Sequence, residues 1–566
     1  VIRPFGGDFG PLAGVNVELA EGHERKYLGA PRIGPDTGVQ TRRMRQAASE
    51  LPPGARIECD VAIVGAGPAG LTVARALRGR GLEIVILDAG ADVPEPDHDA
   101  RPVPGITGWY DVRRSHFRAV GGSSKRWFET GWKARCLEPE DFEHRPWIPH
   151  SGWPLSFEDL RRHFETAQTI CELGPFRYHA GQWPELASSK DLLDDPALAY
   201  PVFQIAPHDA FARLARAIAT WRGFRIIDRA KVIAIRHDGG ARATALDVRG
   251  PHGQPFSVEA RIFVVAGGGF DVPRLLLASG LGNGSDLVGR FFQEHLHAES
   301  GFLYLADPSR VDRLCGEATT DDGTRLLLSM ALAPEVRREH ELLGCALWVS
   351  PVPRTHARAS STSLEAIQRR VRVDGVLPEH LLGHVANIVR EPGPLLARVA
   401  ARLRWPVDRV RVGKVSIEAE CEPRWDSRVV LRDERDECGM PKADLEWRVS
   451  PRDTESVRRT QQHVGRVLEA HGYATFDRFL GDEVPPTFIG GGAHHMGTAR
   501  MHPRPDRGVV DVDGRLHGCP NVVITGSALF PTSGFANPTL TLVALADRQA
   551  ERLPRDLAPG ETRAPS

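Results

Sequence analysis

Two apolar runs, VAIV at 61–64 and IVIL at 84–87, flank a glycine-rich turn and the Ala/Leu-rich stretch LTVARALRGRG, and the second run ends at the acid Asp88. Short continuous apolar runs joined by one helical segment read as a βαβ unit, which commits this part of the chain to a parallel sheet covered by helices. The turn places Gly65, Gly67 and Gly70 in the spacing GxGxxG. Gly65 permits the tight turn, Gly67 lets the backbone approach a pyrophosphate, and Gly70 lets the helix pack closely on the sheet. The helix N-terminus adds N–H groups and positive dipole for phosphate. Asp88 lies near the expected offset of about 20 residues and suits a ribose hydroxyl, while its charge would repel a 2′-phosphate. The motif alone fits FAD and NAD equally.

At 566 residues the chain exceeds one compact core, so two or more domains with interleaved segments are expected. The 72 basic and 73 acidic residues give a formal net charge of −1 without a like-charge run long enough for a nucleic-acid arm or a membrane patch. A small-molecule partner is expected. Cys59, Cys136, Cys171, Cys315, Cys345, Cys421, Cys438 and Cys519 form no CxxC pair and no cluster of zinc spacing, which fits a reducing cytoplasm. The N-terminus lacks a basic region followed by an apolar run, and no stretch approaches the roughly 18 apolar residues of a membrane helix. A soluble, cytoplasmic protein is expected; the sequence begins at Val1, which leaves an upstream leader open.

Residues 1–54 show no clear periodicity and read as an extended or loosely attached arm without a catalytic role. A helix capped by Ser156 is predicted over FEDLRRHFETAQTICELG. A strand-rich stretch covers 224–265, with KVIAIRHDG and ATALDVRG meeting at a Gly-Gly turn before the run IFVVAGGG. Residues 300–480 mix strands, such as KVSIEAE and SRVVLRD, with longer polar helices, including ESVRRTQQHVGRVLEAHG closed by Gly472. NVVITG reads as a buried strand and PTLTLVALADRQAERL as a helix with proline at its first position.

Three further motifs carry candidate chemistry. Gly121, Gly122 and Ser123 open a small-residue loop, ending at Trp127, whose backbone could approach a flat ring or a pyrophosphate, though a plain turn reads the same. His494 and His495 follow a glycine run; a metal site is disfavoured because no third His or carboxylate sits at helical spacing beside them. Gly526, Asn537, Pro538 and Thr539 span a strand, a loop and the start of the last helix, where negative charge is stabilised and where Asn537 is expected to act also as the cap.

In this order the four motifs resemble the glucose-methanol-choline (GMC) oxidoreductase family, particularly its bacterial branch near the pyranose oxidases. The likeness extends from about Leu51 to Leu553 and includes SGWPLSFEDL, AGGGFDVPRLLLASGLGN, DLVGRFFQEH and SRVVLRDERDECGMPKADLEW. It implies an α/β fold: a Rossmann-like FAD-binding domain built from several chain segments, with an interleaved α+β substrate domain containing a mostly antiparallel sheet. The expected boundaries are an arm at 1–54, the FAD domain at 55–150, 205–300 and 481–556, the substrate domain at 151–204 and 301–480, and a tail at 557–566. By the same resemblance Gly65, Gly67, Gly70 and Asp88 would hold the ADP half of FAD and Val232 would meet the adenine through its backbone. Gly121, Gly122 and Ser123 would line the flavin, and Gly526, Asn537, Pro538 and Thr539 would approach the pyrophosphate and the pyrimidine end of the ring.

The family's catalytic histidine falls on His494 and its partner on Asn537. Some relatives carry, before the tryptophan of the glycine loop, a histidine bonded covalently to the flavin; here Arg126 stands there, and a guanidinium is no flavin nucleophile, so noncovalent FAD is expected. The implied activity is oxidation of a CH–OH group. Hydride passes from the carbinol carbon to flavin N5, His494 acts as general base and Asn537 donates to the developing alkoxide. The expected substrate is a sugar, glycoside or hydroxylated natural product, with oxygen, a quinone or a redox protein as acceptor. The alternatives are oxidation of an aliphatic or steroid alcohol, a flavin-retaining lyase of the same family, a binding-only flavoprotein and an NAD-linked dehydrogenase.

Overall fold

The structure is a computed structural model and describes residues 45–96, 110, 112–127, 131–187, 192–307, 317–351, 381–390, 392, 412–478 and 490–553. The expected tail at 557–566 and the first 44 residues of the expected arm lie outside these. The chain divides into two units; of residues 4–43 and 352–410, which form the smaller one, the described part is residue 392 and the helix Leu381–Arg390.

The larger unit is built on a mainly parallel sheet of β1 (Arg45–Ala47), β2 (Arg56–Val64), β3 (Ile84–Leu87), β4 (Phe224–Asp228), β5 (Lys231–His237), β6 (Ala243–Arg249) and β7 (Pro255–Val265), in the order β1-β4-β3-β2-β7-β6-β5. Helix α1 (Pro68–Ala76) connects β2 to β3, completing the expected βαβ unit. Val61, Ala62 and Ile63 are fully buried, which is why β2 is apolar without alternation. β5 and β6 form an antiparallel hairpin whose turn contains Gly239 and Gly240, both at positive φ. Residues 45–51 are not a loose arm: β1 pairs in parallel with β4, Ala48 is buried, and Arg45 bridges to Asp228 at 2.8 Å. An edge strand of three residues is held by backbone pairing and leaves no periodic trace in RQA.

Helix α2 (Phe157–Ile170) begins where expected, because Ser156 Oγ accepts the Asp159 N–H at 3.2 Å and the Asp159 carboxylate accepts the Ser156 N–H at 2.8 Å. After α3 (Gly268–Ala278) the chain enters an antiparallel sheet of β8 (Leu296–Leu305), β9 (Cys345–Pro351), β10 (Val412–Ala419) and β11 (Ala474–Arg478), ordered β9-β10-β8-β11. Helix α4 (Pro451–Ala470) packs on β11 and starts four residues earlier than the quoted run, since Ser450 caps it and Pro451 takes its first position. Finally β12 (Cys519–Ile524) returns to the parallel sheet beside β7, and α5 (Thr539–Arg552) packs against α1 and α2. The Rossmann-like sheet is thus assembled from several chain segments, with an antiparallel sheet interleaved between them. Among the described residues no helix is long and apolar enough to cross a membrane.

Candidate active site and nucleotide cradle

Of the predicted cofactor residues, Gly65, Gly67, Gly70, Asp88, Gly121, Gly122 and Gly526 gather around the start of α1. Gly65 turns the chain at φ +101° as its N–H donates to the Leu87 carbonyl at 2.7 Å, and a β-carbon at Gly70 would lie 2.0 Å from the Gly65 carbonyl oxygen. Gly67 precedes the first turn, whose N–H groups have no partner within the helix. The Gly121 N–H donates to the Ala66 carbonyl at 2.8 Å, and a β-carbon at Gly122 would meet the Gly67 Cα at 2.8 Å, so the two glycine loops touch backbone to backbone. Ser123 lies in the short helical turn Gly122–Arg126 of the second loop.

Asp88 follows β3 directly, with Oδ2 accepting the Ala66 N–H at 2.7 Å and Oδ1 the Gly90 N–H at 2.8 Å; burial draws its pKa up to about 7 against these bonds. The Ala230 N–H donates to the Asp88 carbonyl at 2.7 Å, and Val232 follows two residues on in β5. Gly526, at φ +106°, faces the Ala69 side chain. Pro538 and Thr539 open α5, which packs on α1.

These residues fit a dinucleotide: the approach at Gly67 and Gly122 has no room for a β-carbon on Gly122, and Thr525 Oγ1 beside Gly526 is buried without a partner. Arg126 is exposed and lies over the Phe117 ring at 4.9 Å.

His494 and His495 diverge. The His495 ring is buried against Phe292, bonded to the Tyr110 hydroxyl and 3.1 Å from Ser115 Oγ, and burial pushes its pKa down to about 3. His494 turns the other way, toward the antiparallel sheet. Its Nε2 lies 3.1 Å from Asn537 Nδ2 and its Nδ1 lies 2.9 Å from His295 Nδ1. Burial holds the His494 imidazole well below the ordinary histidine value, with His295, His297 and Lys133 adding to the effect against the opposing pull of Glu418.

Asn537 does not cap α5 with its side chain; Pro538 is the cap residue, and Asn537 Nδ2 instead donates to Glu418 Oε1 at 3.1 Å. Donation from Nδ2 to the fully buried carboxylate orients the amide so that Oδ1 makes no bond to the N–H groups of the helix end. Turning the amide over would set its oxygen against that carboxylate, so the orientation is fixed, and Asn537 Oδ1 is left buried without a partner.

Glu418, on β10, is the centre of this cluster. Oε1 also faces His295 Nδ1 at 3.1 Å, while Oε2 faces Lys133 Nζ at 3.0 Å and His297 Nε2 at 3.4 Å. Burial alone would raise its pKa, but Lys133 and the histidines outweigh it and keep the carboxylate well below its usual range. Lys133 in turn lies over the Trp348 ring at 3.6 Å. His295, Glu418 and His494 offer three metal-ligand atoms within 4.8 Å, as do His163, Asp547 and Glu551 elsewhere. In the first group the atoms lie 2.9 and 3.1 Å apart, close enough to share protons with one another.

Two family models match the chain, one described as FAD dependent oxidoreductase over residues 60–341 and one as GMC oxidoreductase over 423–546, the segment that carries His494 and Asn537. The chain belongs to the GMC oxidoreductase family. It is an FAD-dependent enzyme. The fructose dehydrogenase large subunit of Gluconobacter japonicus is 23% identical over 89% of this GMC oxidoreductase and 99% of its own length. Paromamine 6′-oxidase of Streptomyces fradiae is 24% identical over 89% and 92%. The crystal structure of pyridoxine 4-oxidase from "Mesorbium loti" shares the fold, with a TM-score of 0.51 and 16% identity over 88% of this chain and 99% of that one.

The sequence reading of this GMC oxidoreductase missed His295, His297, Glu418 and Lys133. The available signal was the spacing His295-Leu296-His297, which puts both rings on one side of a strand.

Proposed function

We propose that this GMC oxidoreductase oxidises a hydroxyl group of a sugar or glycoside, with noncovalently bound FAD as the redox group. The observation that carries the reading is the pairing of a half-buried, neutral His494 Nε2 with Asn537 Nδ2 at 3.1 Å. A substrate hydroxyl set between them would give its proton to Nε2 and accept from the amide as charge builds on oxygen. FAD, when bound, supplies the acceptor for the carbinol hydrogen and its electron pair.

Gly65, Gly67, Gly70 and Asp88 would hold the ADP portion and Val232 the adenine, with Gly121, Gly122, Ser123, Gly526, Pro538 and Thr539 along the pyrophosphate and flavin. The sugar or glycoside class is supported by relatives, named for fructose and paromamine, that match nearly the whole chain. His495 serves as packing: its ring is engaged by Tyr110 and Ser115 rather than aimed at the Asn537 pocket.

The test is an anaerobic screen of sugars and glycosides for flavin bleaching, repeated in air for peroxide, followed by rapid reduction kinetics of His494→Ala and His495→Ala. General-base catalysis is worth about 10²- to 10⁴-fold, the loss expected for His494→Ala with FAD retained. If the His495 variant is the crippled one, the two roles are reversed; if neither is slowed, the mechanism fails.

A further inference from the structure

His494 is joined to a fully buried histidine that the substrate need not touch. His295 is fully buried, and its Nδ1 has two partners: His494 Nδ1 at 2.9 Å and Glu418 Oε1 at 3.1 Å. Two imidazole nitrogens at 2.9 Å must share a proton, since two lone pairs facing at that distance repel. The tautomer follows from Asn537, whose orientation Glu418 fixes: Nδ2 donates toward His494 Nε2, so Nε2 carries the lone pair and the single ring proton of neutral His494 sits on Nδ1, aimed at His295, whose neutral Nδ1 then also turns its lone pair to Glu418 Oε1, a repulsive contact that a proton on Nδ1 converts into a hydrogen bond.

We propose that His295 is the proton store of this site: as His494 takes the substrate hydroxyl proton at Nε2, it releases its Nδ1 proton to His295 Nδ1, and Glu418 holds the imidazolium so formed. The proposal rests on His494 being the base. One proton enters the His494 ring and one leaves, so His494 ends neutral with its proton on Nε2, and no electrons change hands between the side chains. The positive charge thus ends beside an ionised carboxylate rather than on the ring that meets the substrate.

Electrostatics favours this direction. Burial disfavours the cation on both rings, but for His295 the bond to Glu418 and the charges of Glu418 and Glu294 reverse the effect and raise its pKa, whereas for His494 burial prevails. The groups facing His295 are Glu418 from β10, Glu294 beside it in the chain and His494 from the C-terminal segment, and, across Glu418, Asn537, His297 and Lys133. Glu418 Oε2 reaches His297 Nε2 at 3.4 Å, and the His297 side chain is 34% exposed, which gives the stored proton a way out to water. His295 is a positioning residue, acting on the reaction through His494.

His295 must be neutral to accept a proton. Its raised pKa therefore sets an acid limb: flavin reduction is lost as pH falls through a value above the ordinary histidine pKa of about 6.5. Glu418→Gln removes the anion, so the limb moves to lower pH while the maximal rate falls.

The test has a readout without turnover. In oxidised holoenzyme labelled with ¹⁵N-histidine, the ring that is missing from the His295→Gln spectrum should titrate with a midpoint above about 6.5, and below that in Glu418→Gln. In rapid reduction, the rate plotted against deuterium fraction should bow for the parent, as two protons move together, and become linear in His295→Gln. That variant should reduce about 10- to 100-fold more slowly, within the loss of His494→Ala.

If the His295 ring titrates no higher than ordinary, if Glu418→Gln leaves its midpoint in place, or if His295→Gln keeps the bowed plot, the relay is overturned while His494→Ala still reports on the base. If His494→Ala reduces at parental speed, the base reading itself fails and the relay with it. If dialysis against EDTA shifts the His295 midpoint, a metal rather than a proton holds these atoms and the proposal falls. The ¹⁵N midpoint of the parent protein decides the matter even where a variant loses its flavin.

Discussion

Gly67→Ala separates what the fold needs from what the cofactor needs. Gly67 has an ordinary extended backbone, φ −84°, and an added β-carbon would find its nearest neighbour, the Gly122 Cα, at 3.7 Å. The protein alone therefore has room for the methyl group. By restricting the unfolded chain the substitution should leave apoprotein stability unchanged or raise it by about 0.4–1 kcal/mol. If a pyrophosphate approaches this backbone, the same methyl group stands in its path. Overpacking of about 1–3 kcal/mol would weaken FAD by roughly 5- to 150-fold.

Gly65→Ala is the control of opposite kind. Its φ is +101° and the new carbon would sit 2.7 Å from the Ala266 carbonyl oxygen, so it should destabilise the apoprotein itself. Apoprotein melting and FAD titration by calorimetry give the two quantities separately. A Gly67→Ala protein that binds FAD at parental affinity would remove the phosphate from this loop, and one that melts as low as Gly65→Ala would make Gly67 a packing residue.

Two further outcomes follow from the cradle. Acid precipitation should release yellow flavin into the supernatant, because Arg126 stands where the tethering histidine would be and lies exposed over the Phe117 ring; colour retained in the pellet refutes noncovalent binding. Asp88→Ala should cost about 1.5–3 kcal/mol of FAD affinity and leave the rate of reduction by saturating substrate near the parental value, measured on FAD-saturated protein; unchanged affinity would take Asp88 out of the site.

The parts of this enzyme legible in its sequence are those where one local requirement dominates. VAIV and IVIL are continuous because their strands are buried on both faces, and the glycines of GAGPAG answer to steric limits within a few residues of themselves. His494 and Asn537 were placed by family resemblance alone, and the rule that a residue before a helix serves as its cap gave Asn537 a contact it does not make. The Glu418 cluster was hidden for a different reason. In KVSIEAE the charged and apolar residues alternate, the ordinary mark of a strand with one face in water. Here both faces are covered: Val415, Ile417 and Ala419 lie in an apolar core, while Glu418 and Glu420 are equally buried on the other side, against Lys133 with the histidines and against Arg145 respectively. Each partner lies more than 70 positions away along the chain: Lys133, His295 and His494 for Glu418, and Arg145 for Glu420. Alternation records which residues share a face of the strand, but not what covers that face. An acid at alternate positions is read as solvated unless something tells of the cations opposite, and two histidines spaced for one face of a neighbouring strand are the local hint that it is not. The buried carboxylate is thus a product of tertiary pairing, and the proton chemistry proposed for His295 depends on it: with water in place of Lys133 and the histidines, Glu418 would be an ordinary surface acid and His295 would have no anion to hold its charge.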